Sequence, residues 1–149
     1  MICTIRKAGE PDILPLLQLM AQLDTAGESP LSIAEGTRLL QKIATYPNYA
    51  IYLAEDQEGR IVGSFALLVM DNLAHRGAPS AVVEDVCVDE SARGHGIGRA
   101  MMSFAMELAK QTGCYKLVLS SNGARTRAHE FYRSLGFSEH GVSFHVELR

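Results

Sequence analysis

Apolar residues recur along this chain at two intervals, one typical of helices and the other of strands. Spacing by three or four positions predicts four helices, over Pro11 to Leu23, Ser32 to Ile43, Ile97 to Ala109 and Arg125 to Leu135. Runs rich in β-branched and aromatic residues predict strands between them. The predicted strands are Thr4 to Arg6, Tyr49 to Glu55, Arg60 to Val69, Val82 to Val88, Tyr115 to Ser121 and Val142 to Leu148.

Polar segments with capping and turn residues separate these elements. Ser32 and Glu35 have the spacing of a capping box at a helix start. Asp56 to Gly59 has the composition of a hairpin turn, Thr25 to Pro30 is a polar break, and Gly136 follows the last helix in the usual ending position. Because helices and hairpins are mixed and no repeat is visible, the order predicts one α+β domain over residues 1–149.

The stretch from Val82 to Gly98 joins a strand, a polar turn and a glycine-rich helix start. The first turn of a helix has backbone N–H groups without partners and partial positive charge, so it favours anions. Glycines at 94, 96 and 98 leave those amides uncovered, and Arg93 and Arg99 add positive charge on either side. The pattern predicts a cradle for a phosphate or pyrophosphate.

Two common glycine-rich phosphate loops do not fit this stretch. A P-loop is excluded because no Lys-Ser or Lys-Thr pair follows the glycines. A dinucleotide fingerprint fits poorly, because Arg99 stands where the third glycine belongs and no acidic residue closes the strand from Lys116 to Ser121.

Two motifs instead resemble those of the GCN5-related N-acetyltransferases. Arg93 to Gly98 reads Arg-Gly-His-Gly-Ile-Gly, which is similar to the family's Arg/Gln-x-x-Gly-x-Gly/Ala after a Val-x-Val strand end. Ala128 to Phe137 is similar to the family's closing motif, Ala-x-x-x-Tyr-x-x-x-Gly-Phe. The resemblance covers about the last 70 residues, and the first 80 match only in element order. Arg125 departs from the pattern, since the family often has Asn there.

The resemblance implies a fold and a cosubstrate. The fold is a mixed, mostly antiparallel central sheet of about six or seven strands flanked by about four helices. The cosubstrate is acetyl-coenzyme A, with its pyrophosphate on the glycine loop and its pantetheine arm along the backbone of Val86 to Val88. Arg125 either reaches the phosphates or points to solvent. The implied coenzyme-binding residues are Val86, Cys87, Val88, Arg93, Gly94, His95, Gly96, Ile97, Gly98, Arg99 and Arg125.

Acetyl transfer to an amine needs a base for the attacking amine and an acid for the departing thiolate. An alkylamine has a pKa near ~10, so it must lose a proton before it attacks. Glu84 is the first candidate base and Asp85 the second, since the family resemblance places a carboxylate in this strand. The alternative is that these carboxylates cap a bulge or pair with an arginine. Tyr132 is the candidate acid by resemblance, and its alternative is a core aromatic.

Composition limits the other classes of function. A net charge of −3 and the lack of a basic block argue against a nucleic-acid partner. No apolar run is long enough to cross a bilayer, so no membrane partner is expected. The three cysteines are scattered, which favours a reducing cytoplasm. No metal site is expected, because the histidines at 129, 140 and 145 lack ligand spacing.

The sequence therefore predicts an acetyl-coenzyme A-dependent N-acetyltransferase that moves acetyl directly to the primary amine of a small molecule. The alternatives are a protein or peptide acetyltransferase and a coenzyme-binding sensor without catalysis. By resemblance, Thr25 to Thr45 and Asp71 to Ser80 select the acceptor, with His75 a candidate contact. A homodimer is a family expectation, with the edge strand from Val142 to Leu148 as a pairing surface.

Overall fold

The structure is a computed structural model that describes residues 2–23 and 27–149. The chain divides into two compact units, Met1–Val118 and Leu119–Arg149. The first unit contains all five described strands and three of the four described α-helices. The elements are β1 (Cys3–Lys7), α1 (Ile13–Met20), α2 (Ile33–Ile43), β2 (Tyr49–Asp56), β3 (Ile61–Met70), β4 (Ser80–Val88), α3 (Ile97–Gln111), β5 (Lys116–Val118) and α4 (Thr126–Ser134).

The strands of the first unit form one sheet in the order β1-β2-β3-β4-β5. Neighbours are antiparallel except β4 and β5, which are parallel. This arrangement confirms the predicted α+β class and the mixed, mostly antiparallel sheet. The prediction of about six or seven strands was wrong, since the described residues contain five.

One face of the sheet packs against α3 and the other against α1. Tyr52 stacks on Phe65 with ring centroids 5.4 Å apart, and Phe104 of α3 covers both rings. On the opposite face, the buried residues Ile13, Leu16 and Leu19 of α1 follow the predicted helical spacing. The two faces together bury the apolar residues that the spacing pattern identified.

Local signals for the second helix and the first hairpin are confirmed. Ser32 Oγ accepts a hydrogen bond from the Glu35 amide, and Glu35 Oε2 accepts one from the Ser32 amide. At the hairpin turn, Asp56 Oδ1 accepts hydrogen bonds from the amides of Glu58 and Arg60. These bonds satisfy backbone donors that the helix start and the turn would otherwise leave without partners.

Two elements are shorter than predicted. The first helix begins with a single 3-10 turn at Glu10–Asp12 and is α-helical only over Ile13–Met20. The strand predicted from Tyr115 to Ser121 extends only over Lys116–Val118, because β4 offers it partners at three positions. Asp24, Thr25 and Ala26 lie outside the described residues, so the predicted polar break is described only from Gly27 onward.

The second unit holds α4 and an extended C-terminal segment. The helix ends at Ser134, and Gly136 lies just beyond it with a φ of 93°, in the left-handed region that favours glycine, as the sequence predicts. The predicted half-buried strand from Val142 to Leu148 is wrong: within residues 27–149 that segment forms no strand. A strand needs a neighbouring backbone to pair with, and alternation of side chains does not supply one. The exposures of its apolar residues are Val142 77%, Phe144 90%, Val146 76% and Leu148 89%.

In the described part of the chain, no helix has the length and apolar character needed to cross a membrane.

Candidate active site

A bulge interrupts β4 and leaves two exposed residues in a strand that is otherwise buried or half-buried. Ala66 of β3 pairs with Glu84 and Ser64 pairs with Cys87, so two residues of β4 lie opposite one residue of β3. The extra residue is accommodated at Asp85, whose φ is +51°, an uncommon value for a residue other than glycine. Bulges of this kind turn side chains outward beside functional sites. This bulge exposes Glu84 and Asp85 in the middle of a sheet.

The surroundings of Glu84 raise its proton affinity. Burial of the carboxyl raises its pKa, and the neighbouring charge of Asp85 raises the pKa further. Among residues 2–23 and 27–149, no basic side chain forms an ion pair with either carboxylate. A carboxylate with a raised pKa is a better proton acceptor near neutral pH than an ordinary one. This supports the predicted base and argues against the alternative of pairing with an arginine.

Tyr49 lies on the same face of the sheet as these carboxylates. It was not predicted from the sequence as a site residue. Register places Ile51, Ala66 and Glu84 in one row across three strands, with Tyr49 two positions along β2. Burial raises the pKa of the Tyr49 hydroxyl, and the charges of Asp85 and Glu84 raise it further. Side chains alternate between the two faces of a strand. Counted from the predicted hairpin turn, this alternation would have placed Tyr49 on this face.

Beyond the bulge, β4 has a free backbone edge. β5 pairs only with Ser80, Ala81 and Val82, and the described part of the first unit gives no strand partner on that side to Val86–Val88. Unpaired N–H and C=O groups on a strand edge accept an extended amide-containing chain as if it were a further strand. Within the described part of the first unit, the predicted binding edge for a pantetheine arm is therefore unpaired.

The glycine loop leaves this edge and enters α3. Gly94 and Gly96 have φ values of +78° and +84°, and Gly96 is the N-cap of the helix. A side chain added at either position would meet open space, so the left-handed backbone explains the need for glycine there. The first turn of α3 carries no acidic residue, which leaves its amides available to an anion.

Gly63 of β3 holds the start of α3 close to the sheet. A Cβ at Gly63 would lie 2.8 Å from Met101 Sδ, 3.2 Å from Ile97 Cγ2 and 3.2 Å from the Cys87 carbonyl oxygen. Only a residue without a side chain allows the first turn of α3 to approach β3 and β4 this closely. The glycine loop is thereby held next to the C-terminal end of β4.

Two side chains connect the loop to the rest of the unit. Gln22 donates a hydrogen bond from Nε2 to Asp89 Oδ2 at 2.9 Å and accepts one at Oε1 from the Glu90 amide at 3.0 Å. Arg93 donates from Nε to the Val88 carbonyl oxygen at 3.1 Å. No local sequence pattern points to Gln22, because its partners are 67 and 68 positions away.

The other predicted coenzyme-binding residues divide by burial. Cys87 is buried, and its Sγ lies 3.5 Å from the Leu19 carbonyl oxygen, which agrees with a small strand residue that is not a reactive thiol. Ile97 is buried under α3 at 1% exposure. His95 and Arg99 are exposed, Gly98 lies in the first turn of α3, and Val86 and Val88 are half-buried.

The second unit holds Tyr132 in an aromatic cluster. Its ring centroid lies 5.2 Å from that of Phe131 and 5.7 Å from that of Phe137. Burial raises the pKa of the hydroxyl, while the charge of Arg125 lowers it. A phenol is protonated at neutral pH at its ordinary pKa and stays so here, while the raised pKa makes it a weaker acid. Arg125 is the N-cap of α4, and its side chain makes no capping hydrogen bond.

The loop before β4 has a strained backbone. His75, Arg76 and Gly77 have φ values of +52°, +60° and +79°. The His75 ring stacks on Tyr115 at 4.0 Å, and Lys116 Nζ lies 5.3 Å from the same ring. Strained loops of this kind often hold functional side chains.

No group of three or more His, Cys, Asp or Glu side chains in the described ranges is arranged to hold a metal ion.

Comparison with known proteins finds similarity to acetyltransferases at the level of family, sequence and structure. The model of the acetyltransferase (GNAT) family matches residues 17–137. The glucosamine 6-phosphate N-acetyltransferase of Trypanosoma brucei brucei is 31% identical over 144 residues, which are 97% of this chain and 95% of that protein. A probable glucosamine 6-phosphate N-acetyltransferase 2 of Oryza sativa subsp. japonica is 34% identical over 102 residues, covering 66% of this chain and 60% of that protein. The structure of a putative acetyltransferase from Agrobacterium tumefaciens superposes with a TM-score of 0.89 at 29% identity, covering 97% of this chain and 99% of that chain.

Proposed function

The chain belongs to the acetyltransferase (GNAT) family and is an N-acetyltransferase, and from this premise we propose that it acetylates the amino group of glucosamine 6-phosphate. Two relatives carry that activity in their names, and one of them aligns along nearly its whole length. The proposal makes specific the small-molecule primary amine that the sequence predicts.

Acetyl-coenzyme A, when bound, supplies the activated acetyl thioester. The residues present fit this cosubstrate, because the glycine loop is uncovered and the adjacent strand edge is unpaired. Backbone amides from Arg93 to Gly98 would hold the pyrophosphate, and Val86–Val88 would hold the amide-containing arm.

The observation that carries the proposal is Glu84 on the bulge of β4, with a raised pKa and no cationic partner among the described residues. In the proposed reaction Glu84 accepts the proton that the amine loses, directly or through water. The amine nitrogen then forms a bond to the acetyl carbon and releases its second surplus proton to solvent, and the bond between that carbon and sulfur breaks. No covalent bond to the protein is needed.

Tyr132 is the proposed acid for the departing thiolate. Its hydroxyl gives its proton to the sulfur, and the resulting phenolate recovers a proton from solvent. At neutral pH the hydroxyl is protonated, as it is at the ordinary phenol pKa near ~10, and its place in the closing motif supports the role. The products are the N-acetylated sugar phosphate and free coenzyme A.

The loop before β4 is the proposed contact for the acceptor phosphate. Arg76 lies beside His75, and the stack of His75 on Tyr115 connects this loop to Lys116. In a chain with a net charge of −3, this is a local concentration of basic groups that favours an anionic acceptor. Arg76 is exposed and has a guanidinium suited to phosphate.

The test follows coenzyme A release with glucosamine 6-phosphate, glucosamine and a lysine-containing peptide as acceptors. We expect glucosamine 6-phosphate to have the highest kcat/KM, and Arg76→Gln to raise KM for it while leaving the KM for glucosamine unchanged. A preference for the peptide would assign the chain to protein acetylation. Binding of acetyl-coenzyme A without turnover of any amine would indicate a sensor.

A homodimer remains a family expectation. Sedimentation equilibrium of the full chain would test it, and a single species at the 16.2 kDa monomer mass would contradict it.

A further inference from the structure

A cavity of about 360 Å³ lies within the first unit, apart from the glycine loop. Side chains of β2, β3, α2 and α3 line it, together with Lys7 at the end of β1. Thr112 follows the last turn of α3, whereas the glycine loop precedes the first turn. At 1.5 Å per residue, the helix separates the cavity from the loop by about 22 Å. The cavity is therefore distinct from the proposed acetyl-coenzyme A site.

The end of β1 explains why there is space here. Lys7 is the last residue of β1 in the ladder and pairs with Tyr52 of β2. Two positions along β2, Ala50 pairs with Leu67 on one side and has no β1 partner on the other. The small side chain of Ala50 leaves open the space that a strand partner or a large residue would fill.

The walls of the cavity are apolar, with a small number of polar groups. Leu67 and Val69 of β3 and Leu108 of α3 provide apolar surface, and Leu40 and Ile43 of α2 also line the space. An apolar pocket with a few convergent polar groups, in a volume of roughly 300–1,000 Å³, is the usual form of a small-molecule site.

Tyr52 provides an unused hydrogen-bonding group in this cavity. Its residue is 93% buried, at 7% exposure, because its ring packs between Phe65 and Phe104. Across the described ranges, no protein group forms a hydrogen bond with its hydroxyl. Burial raises the pKa of that hydroxyl, so it stays protonated and able to donate. The hydroxyl is not among the fully buried atoms that lack a partner, so it is accessible from the cavity.

Lys7 provides a positive charge beside this hydroxyl. Directly opposed residues on antiparallel strands have Cβ atoms about 5 Å apart on the same face, so Lys7 and Tyr52 project together. No carboxylate in the described part of the chain forms an ion pair with Lys7. An ammonium and a phenolic O–H beside an apolar wall suit a carboxylate or sulfonate attached to an apolar body.

We propose that this cavity is a second ligand site for a small amphipathic monoanion. The carboxylate or sulfonate of the ligand is bound by Lys7 and Tyr52, and its ring or short aliphatic chain packs against Leu67, Val69 and Leu108. The cavity is separate from the glycine loop, whereas Tyr49 and Ile51 at its border also lie on the face of the sheet that carries Glu84.

Indole-3-acetate is a suitable probe, because the chain contains no tryptophan and the indole can be excited selectively. We expect saturable binding by fluorescence anisotropy, unaffected by acetyl-coenzyme A, and weaker binding of the neutral analogue indole-3-acetamide. In ¹H–¹⁵N spectra, the amides of Ala50, Val69 and Thr112 shift while those of Gly94 and Gly96 do not.

Variants separate the proposed contacts. Lys7→Gln weakens binding of indole-3-acetate about tenfold, and Tyr52→Phe, which keeps the ring, weakens it about threefold. Ala50→Leu fills the cavity and abolishes binding. Lys110→Gln, at an exposed lysine that does not line the cavity, is the matched control and leaves binding unchanged.

Three outcomes would overturn the proposal. The first is no binding of indole-3-acetate at millimolar concentration to the full chain. The second is equal binding by the wild type and by Lys7→Gln and Tyr52→Phe. The third is dissociation of an oligomer by Ala50→Leu without loss of a bound probe, which would identify the cavity as a contact between copies of the chain.

Discussion

Two carboxylates in the first unit, Asp12 and Glu84, have opposite electrostatic surroundings. Asp12 is buried at 9% exposure, and both of its oxygens accept hydrogen bonds of 2.8 Å from Arg6, so its pKa is lowered. Glu84 has no basic partner among the described residues, and partial burial of its carboxyl together with the neighbouring charge of Asp85 raises its pKa. The more buried carboxylate therefore holds its proton less strongly than the more exposed one.

The difference shows that a basic partner outweighs burial at Asp12, whereas burial acts without such a partner at Glu84. Arg6 also donates to Glu55 at 2.6 Å, so one guanidinium joins β1, β2 and the turn before α1. Asp12 further accepts a hydrogen bond of 2.7 Å from the Gly9 amide. These bonds stabilise the fold. They also hold the pKa of Asp12 low, so Asp12 is a poor proton acceptor. Glu84 forms no ion pair among the described residues, and its pKa is raised.

The largest expected effect is that of Glu84→Gln on catalysis. Loss of a general base typically costs about 10²–10⁴ in rate, so kcat/KM for glucosamine 6-phosphate should fall at least about 100-fold near neutral pH. The melting temperature should stay close to that of the wild type, because the side chain is exposed. Steady-state coenzyme A release and a thermal melt measure the two quantities. Glu107→Gln, at an exposed glutamate of α3, is the control, and a variant with near wild-type activity would remove Glu84 from the mechanism.

The second effect is that of Asp12→Asn on stability. Removing one partner of a buried charge-assisted network costs about 2 kcal/mol, which lowers the melting temperature by roughly 4–8 °C for a chain of this size. Activity at low temperature should be unchanged. Glu58→Gln, at an exposed side chain of the hairpin turn, should lower the melting temperature much less.

The pH dependence of that loss has a defined sign. The folded-state pKa of Asp12 lies below its unfolded value, so its contribution is present above the unfolded pKa and is lost as the pH falls through the folded pKa. The difference in stability between wild type and Asp12→Asn should therefore shrink in acid. Urea unfolding across the acidic range measures it, and a difference that grows in acid would contradict the assignment.

A smaller effect is expected for Gln22→Ala. Its two hydrogen bonds hold Asp89 and Glu90 at the start of the loop, so their loss should loosen the glycine loop and cost about 1 kcal/mol. We expect KM for acetyl-coenzyme A to rise about fivefold with kcat nearly unchanged. Gln57→Ala, in the hairpin turn, is the control. A fall in kcat with constant KM would instead place Gln22 in the chemical step.

The smallest effect is that of Asp85→Asn. Asparagine tolerates the left-handed backbone at this position, so the bulge should persist. Removing the charge lowers the pKa of Glu84, because the Asp85 charge raises it. The acid limb of the kcat/KM profile should move to lower pH with little change in its plateau. A limb that stays fixed would show that Asp85 does not influence the base.

The parts of the molecule that sequence predicts well depend on local signals. The capping box at Ser32 and Glu35, the turn from Asp56 to Gly59 and the glycine-rich start of α3 each lie within a few consecutive residues. Their hydrogen bonds involve neighbours in the chain, so residue type and spacing determine them. The bulge of β4 is intermediate, since two adjacent carboxylates in a strand suggest an irregularity without fixing its register.

The parts that sequence missed depend on distant contacts. Tyr49 reaches the candidate site through the register of three strands, and Gln22 reaches Asp89 across 67 positions. The segment from Val142 to Leu148 shows the opposite error, because its alternation is clear and its backbone forms no strand in the described structure. The spacing of apolar residues shows which side chains share a face. Whether the segment forms a strand depends on a neighbouring backbone, which the spacing does not show.

The most direct test of the account is a ¹³C NMR titration of the side-chain carboxyl groups in the wild type. The account predicts that Glu84 titrates above its ordinary value of 4.5 and Asp12 below its ordinary value of 3.8 in the same sample. Asp85→Asn should lower the Glu84 midpoint and leave that of Asp12 unchanged. If Glu84 titrates at or below its ordinary value, the raised proton affinity that assigns it as the base is absent, and the proposed mechanism is contradicted.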